Sequence, residues 1–335
     1  MEVIVSSEIL DSDGWERLIY KSRFVHPLQS PAYHRIFGKL RNAEVSTLLF
    51  LLYSYGEVKA SVVVTLFDKK SVLGFLSRRG IIFGGPVFSN DINHEELNFF
   101  LKETVFKLRG RVIYLETRNS FDYCDYMESF KASGWDYLPY INYQLSLQVI
   151  VKEAIPSLFK YNRRREVKLS IAEGLSYGKC ENEKDFDELY LLLLDLYESR
   201  VKRPLPSIEY FRQLYQNDLM RVFIVKHNEK LLGGAYCLVQ PGRALYTYYY
   251  CGIRDYHRRI YPTHLAILAA MEYALDNNIP LIDFMGAGKP DEEYGVRRYK
   301  AEFGGQLVEH GRFIKILNPF LYHLGRIGVK LISKV

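Results

Sequence analysis

The chain has 335 residues, 48% of them hydrophobic and 25% charged, with a formal net charge of +6. This balance excludes a disordered or fibrous chain, and no apolar run approaches the roughly 20 residues that a membrane-spanning helix needs. The length suits two cores better than one, and the positive charge favours an anionic partner.

Taken in order, Val3 to Val5 reads as a short strand and Gly14 to Ser22 as a helix. Ser30-Pro31 is a helix start for Ala32 to Phe37. Thr47 to Tyr53, Val58 to Phe67 and Phe75 to Phe83 read as strands, the first two joined by a turn at Ser54-Tyr-Gly-Glu57. After Gly84-Gly85-Pro86 come a helix from Glu95 to Leu108, a strand from Arg111 to Thr117, a helix from Asp122 to Ala132 ending at Gly134, and a closing strand from Tyr137 to Leu147.

The second half repeats this order. Val222 to Lys226, Leu231 to Val239 and Ala244 to Cys251 are strands, Pro262 opens a helix running to Asn277, and Leu281 to Phe284 is a short buried strand. A helix through Val296, Tyr299 and Phe303 ends at Gly304-Gly305, and Gln306 to Ile314 closes the series. Between the halves lie a basic helix from Pro156 to Gly174, a helix from Asp187 to Val201, and one capped by Ser207. The agreement is one of element order, with little residue identity.

Four stretches carry a family resemblance: Arg163-Arg-Arg-Glu-Val-Lys-Leu-Ser-Ile-Ala-Glu-Gly174, Asp255-Tyr-His-Arg-Arg-Ile-Tyr-Pro-Thr-His-Leu265, Leu281-Ile-Asp-Phe-Met-Gly286, and Gly295-Val-Arg-Arg-Tyr-Lys-Ala-Glu-Phe-Gly-Gly305. Together they resemble the Fem-type (FemABX-like) peptidoglycan bridge aminoacyltransferases, within the wider GNAT-like N-acyltransferases. The resemblance implies an α/β fold with mixed sheets, as two tandem GNAT-like domains facing a central cleft. The expected divisions are 1–150, 151–317 with inserted helices over 156–215, and a tail at 318–335. It implies an acyltransferase moving an aminoacyl or acyl group onto an amine of a cell-envelope, peptidoglycan, precursor. The co-substrate is then aminoacyl-tRNA, with no permanently bound cofactor. An acyl-CoA-dependent N-acetyltransferase acting on an amino sugar of a surface polysaccharide is the second reading, and an inactive envelope-precursor binding module the third.

The loop from Ile253 to Tyr261 feeds a helix N-terminus, whose unpaired N–H groups and dipole suit an anion. Arg254, Arg258 and Arg259 add charge there, and Arg163 and Arg164, with Arg165 and Lys168, are further candidates for donor or phosphate binding, for phosphates of tRNA or of a nucleotide-linked acceptor, against a solvated basic helix. Simple acetyl-CoA enzymes carry glycines where this loop has Tyr261 and Thr263, which points away from CoA. Lys300, beside the buried stripe, is the candidate for stabilising an oxyanion, and the Tyr299-Lys300 pair resembles the family's Phe-Lys pair. Asp283 lies inside an apolar strand, so its carboxylate needs partners or a raised pKa; orienting substrate or accepting a proton competes with a purely structural pairing. Alternation puts Tyr246, Tyr248 and Tyr250 on one face and Tyr249 on the other, making the three, with Tyr299, candidates for substrate binding, against plain core packing. His257 and His264 flank the loop without being assigned a role.

Cys124, Cys180, Cys237 and Cys251 lack metal-ligand spacing, so no metal is expected. The first residues show no signal peptide, and a cytoplasmic protein is expected. The tail, with Arg326, Lys330 and Lys334 among apolar residues, is either a basic amphipathic helix at the inner membrane face or a segment docked on the body, and Gly325 and Gly328 weaken it as a helix.

Overall fold

The computed structural model describes residues 1–7, 12–40, 43–68, 74–148 and 150–332. Lys334 of the expected tail lies outside them. The chain forms two units, residues 1–140 with 309–335, and residues 141–308.

The first unit begins with β1 (Glu2–Ser6), α1 (Ser12–Lys21), α2 (Pro31–Phe37), β2 (Val45–Ser54), β3 (Glu57–Phe67), β4 (Arg79–Gly84) and β5 (Val87–Phe88). It continues through α3 (His94–Leu108), β6 (Tyr114–Asn119), α4 (Met127–Ala132) and β7 (Asp136–Leu138). Local chemistry sets several of these limits. The Ser30 hydroxyl accepts from the Tyr33 amide at 3.2 Å with Pro31 in the first turn, and Asn93 and Glu96 form a reciprocal capping box at the start of α3. Tyr55 and Gly56 both have positive φ, which lets the β2–β3 hairpin turn follow the strand twist.

The second unit contains β8 (Ile141–Ser146), α5 (Tyr161–Ala172), β9 (Ser176–Lys179), α6 (Glu183–Leu196), α7 (Ile208–Gln216), β10 (Met220–His227), β11 (Lys230–Gln240) and β12 (Ala244–Gly252). Then follow α8 (Pro262–Asp276), β13 (Leu281–Gly286), α9 (Gly295–Ala301) and β14 (Gln306–Glu309). The chain returns to the first unit with β15 (Arg312–Ile316) and α10 (Pro319–Ile332).

The first sheet runs β1-β2-β3-β4-β6-β15-β7, with β5 also on β3, and the second runs β14-β8-β13-β12-β11-β10-β9. The repeat expected from the sequence is present: an antiparallel trio, a helix, then a strand parallel to the last of the trio. In the first unit β4 pairs parallel with β6, and in the second β12 pairs parallel with β13. One face of the second sheet packs Leu232, Ala235, Cys237, Val239, Leu245, Ile282 and Phe284 against Leu265, Leu268 and Met271 of α8.

The closing strands differ from expectation. Tyr137 to Leu147 is not one strand but two, β7 in the first sheet and β8 in the second. Pro139 lies between them and has no N–H to extend a ladder. Gln306 to Ile314 likewise splits around Gly311 into β14 and β15. Each parallel strand is therefore flanked by a strand from the other end of the sequence: β6 by β15, and β13 by β8.

Three further limits move. Phe75 to Ser77 belongs to a 3-10 turn over Gly74–Ser77, so β4 starts only at Arg79. The basic helix starts at Tyr161, after a separate 3-10 stretch over Lys152–Leu158 that contains Pro156. The helix expected to reach Val201 leaves α geometry at Tyr197, becomes a π turn, and ends on Lys202 with φ 54°.

Candidate active site

β12 and β13 pair through only Leu245↔Ile282 and Tyr246↔Asp283 before they part. The opening lies at the C-terminal half of β12 and leads to the loop before α8. A cavity of about 710 Å³ sits there, lined by Tyr250, Gly252, Arg254, Arg258, Thr263 and Tyr299 among others. Gly252 is still in the strand, and a Cβ on it would lie 3.1 Å from Thr263 Cγ2. Its lack of a Cβ permits the close approach of strand to helix.

The 15-residue α8 has Pro262, which lacks an N–H, in its first turn and no side-chain cap at Tyr261; the His264 amide donates to the Tyr261 carbonyl at 3.1 Å, and Thr263 of the first turn lines the cavity. The Tyr261 amide donates to Ser170 Oγ at 2.9 Å, which ties the start of α8 to α5. Arg254 and Arg258 are exposed at the cavity wall and form no ion pair among the described residues. Arg259 is instead turned to Glu173, with Nε 2.9 Å from the carboxylate.

Arg163 and Arg164 have other surroundings. Arg163 is 5% exposed, its guanidinium 4.5 Å from the centre of the Tyr299 ring and 4.6 Å from that of Phe303. Its Nη1 is 3.5 Å from Glu166. Arg164 donates to the carbonyls of Ser157 and Phe159, both at 3.0 Å. Both arginines thus hold α5 in place. His264, on the first turn of α8, stacks on Tyr261 at 5.1 Å. Burial, helped by the nearby Arg163 charge, lowers its pKa to about 2. It is neutral, so its 3.5 Å approach to Glu166 is not an ion pair.

Beside the cavity, Asp283 and Lys300 form a buried pair of titratable groups. Asp283 has 0% exposure and accepts from Gln144 Nε2 at 3.0 Å and from the Met285 amide at 2.5 Å. Burial raises its pKa to about 6, against the hydrogen bonds and the Lys300 charge that favour the carboxylate. Lys300 is 5% exposed, and its Nζ donates to the Gly286 carbonyl at 2.8 Å. Burial lowers its pKa to about 8, while Asp283 pulls it upward. Both pKa values shift towards neutrality, and the two groups bond to successive residues at the end of β13, Asp283 to the Met285 amide and Lys300 to the Gly286 carbonyl, where Met285 adopts φ 60°. The Asp283 bond to the Met285 amide holds that left-handed turn.

The tyrosines do not alternate as expected. Tyr236 pairs with Tyr249 but Cys237 pairs with Thr247, so Tyr248 is the extra residue of a β-bulge. Tyr246, paired with Leu238 and Asp283, lies on the face away from α8. Tyr249 shares that side, packing on Phe211 and Tyr197, and the Tyr248 hydroxyl meets Tyr210 at 3.2 Å. Tyr250 falls on the opposite face and stacks on Tyr299 at 5.5 Å in the cavity wall. The structure thus brings together Tyr250, Tyr299, Arg254 and Arg258, and separately Tyr246, Asp283 and Lys300.

Sequence reading missed Gln144 and Met285. Asn142 and Gln144 alternate with Ile141, Tyr143 and Leu145 in a strand, a pattern that marks a polar face but not its partner.

Residues 157–301 match the acetyltransferase (GNAT) domain family. The sequence has no significant match among curated proteins. Among solved structures the chain is similar to FemX, with 16% identity over 97% of this chain and 99% of that one and a TM-score of 0.69. It is also similar to L-PGS from Bacillus licheniformis, with 11% identity, coverage of 97% and 98%, and a TM-score of 0.58. A tandem GNAT protein from the clavulanic acid biosynthesis pathway matches with 11% identity over 95% of this chain and 99% of that one, also at a TM-score of 0.58.

Proposed function

We propose that this chain, a FemABX-like acyltransferase of the GNAT fold, moves an aminoacyl or acyl group from a phosphate-bearing donor onto an amine of a cell-envelope precursor on the cytoplasmic side. The observation that carries the reading is the uncapped N-terminus of α8 opening on a cavity that also presents Arg254 and Arg258. The first turn at Thr263, the helix dipole and two cations there converge on one place for an anion.

With the donor's phosphates at α8, its acyl carbonyl reaches towards the gap between β12 and β13. The acceptor nitrogen attacks that carbonyl, a C–N bond forms, and the bond to sulfur or oxygen of the carrier breaks. The amine proton leaves to the carrier through solvent or a neighbouring group. Lys300 supplies positive charge for the oxyanion, and Asp283 holds the β13 end that receives it. Tyr250 and Tyr299 wall the donor, while Tyr246 and Tyr248 lie on the other face, towards an acceptor.

Aminoacyl-tRNA as donor rests on the FemABX resemblance and on Tyr261 and Thr263 in place of glycines; acyl-CoA rests on the acetyltransferase domain match over residues 157–301. Binding of acetyl-CoA and of a pool of aminoacylated tRNA, each at about 0.1 M salt, decides between them. Arg254→Ala with Arg258→Ala is expected to weaken the true donor by roughly 10- to 100-fold and to flatten its salt dependence. Binding of neither donor, or binding indifferent to both substitutions, removes the donor site from the cavity.

A further inference from the structure

We propose that α10 seats the first unit on an anionic lipid surface. The sequence leaves membrane contact and docking on the body as alternatives; the helix has a separate face for each. Its inner face is anchored: Tyr322 packs edge-on against Tyr114 of β6 at 5.3 Å. Gly325 comes so close to the Gly74–Ser77 turn that a Cβ on it would lie 3.1 Å from the Leu76 carbonyl. The glycine that weakens the helix by propensity is the one that lets it dock, and the helix continues through it to Ile332.

The outer face is apolar and uncovered. Phe320, Leu324 and Ile327 are 72%, 43% and 58% exposed, and they follow one another at helical spacings on one stripe. Such a run of large exposed side chains on one helix marks a contact surface. What it contacts is indicated by charge. His323 and Arg326, three residues apart, lie beside the apolar stripe. Lys330 and Lys334 continue the same spacing in the sequence, where no aspartate or glutamate occurs after Glu309. An exposed apolar stripe in a segment whose charged residues are all basic fits the acyl and headgroup layers of an anionic bilayer, with the helix lying in the interface. No helix among the described residues is long and apolar enough to cross a membrane, so the contact is peripheral. This placement does not depend on the transfer reading, because neither donor nor acceptor takes part in it.

The test is co-sedimentation of the full chain with vesicles of phosphatidylcholine alone, and with vesicles in which about a third of the lipid is phosphatidylglycerol. The chain is expected to bind the anionic vesicles, to bind the neutral ones far less, and to be released as salt is raised. Phe320→Ser with Ile327→Ser is expected to lower anionic-vesicle binding at least about tenfold, and Arg326→Glu to lower it several-fold. Tyr20→Ser, at another strongly exposed aromatic, leaves it unchanged. Absence of binding to anionic vesicles, or equal binding by parent and double variant, overturns the proposal. So does a concentration-dependent dimer that the double substitution dissolves without any vesicle binding, since a second copy then covers the stripe.

Discussion

Replacing Asp283 by Asn tests whether the carboxylate is held at an energetic cost. The carboxyl is fully buried, and its pKa is raised from 3.8 to about 6. A difference of roughly 2 units corresponds to about 3 kcal/mol, at 1.36 kcal/mol per unit. The sign follows from linkage: a folded pKa above the unfolded one means that the native state binds the proton more tightly. The contribution is therefore favourable and complete below about pH 3.8, and is lost as pH rises through about 6. Asn keeps an oxygen for the Met285 amide, and Gln144 can turn its own amide to match, so the fold is retained while the ionisation is removed. Urea unfolding of parent and variant at about pH 4 and about pH 7 gives four free energies. The variant is expected to gain about 2–3 kcal/mol on the parent between the two pH values, with equal m-values. A difference that stays constant across that range would refute the reasoning, because the carboxylate would then pay nothing for its burial.

Two other substitutions separate structural from chemical charge. Arg163→Met removes a cation sandwiched by Tyr299 and Phe303 and leaves Glu166 without its nearest positive partner; a loss of about 1–3 kcal/mol in urea unfolding is expected, with the salt dependence of donor binding unchanged. A changed salt dependence would instead place Arg163 on the donor. With Lys300 at a pKa of about 8, transfer is expected to fall as pH rises through that value. Lys300→Arg, permanently charged, abolishes the inflection, and Lys300→Met lowers kcat by roughly 10²- to 10³-fold. Persistence of the inflection in the Arg variant would assign it to another group.

The sequence by itself determined what depends on near neighbours. Ser30 with Pro31, the Asn93–Glu96 box and the Tyr55-Gly56 turn are local contacts, so the elements they bound are visible in the residue order. The same holds for α8, opened by Pro262, and for Asp283, whose place between Ile282 and Phe284 announces a buried carboxylate. The family stretches made the tandem acyltransferase fold legible, because they fix element order and spacing over more than half of the second series.

Only the tertiary structure decided what depends on distant pairing. A strand's propensity does not name its neighbour, so nothing local assigns β8 to β13 or β15 to β6 across the length of the chain. A bulge is a mismatch between two strands, so the turn of Tyr250 away from Tyr246 cannot be read from β12 alone. The three consecutive arginines at 163 to 165 look alike in sequence. Packing of α5 against Tyr299 and Phe303 buries the first of them, while Arg254 and Arg258 of the loop before α8 stay open to an anion.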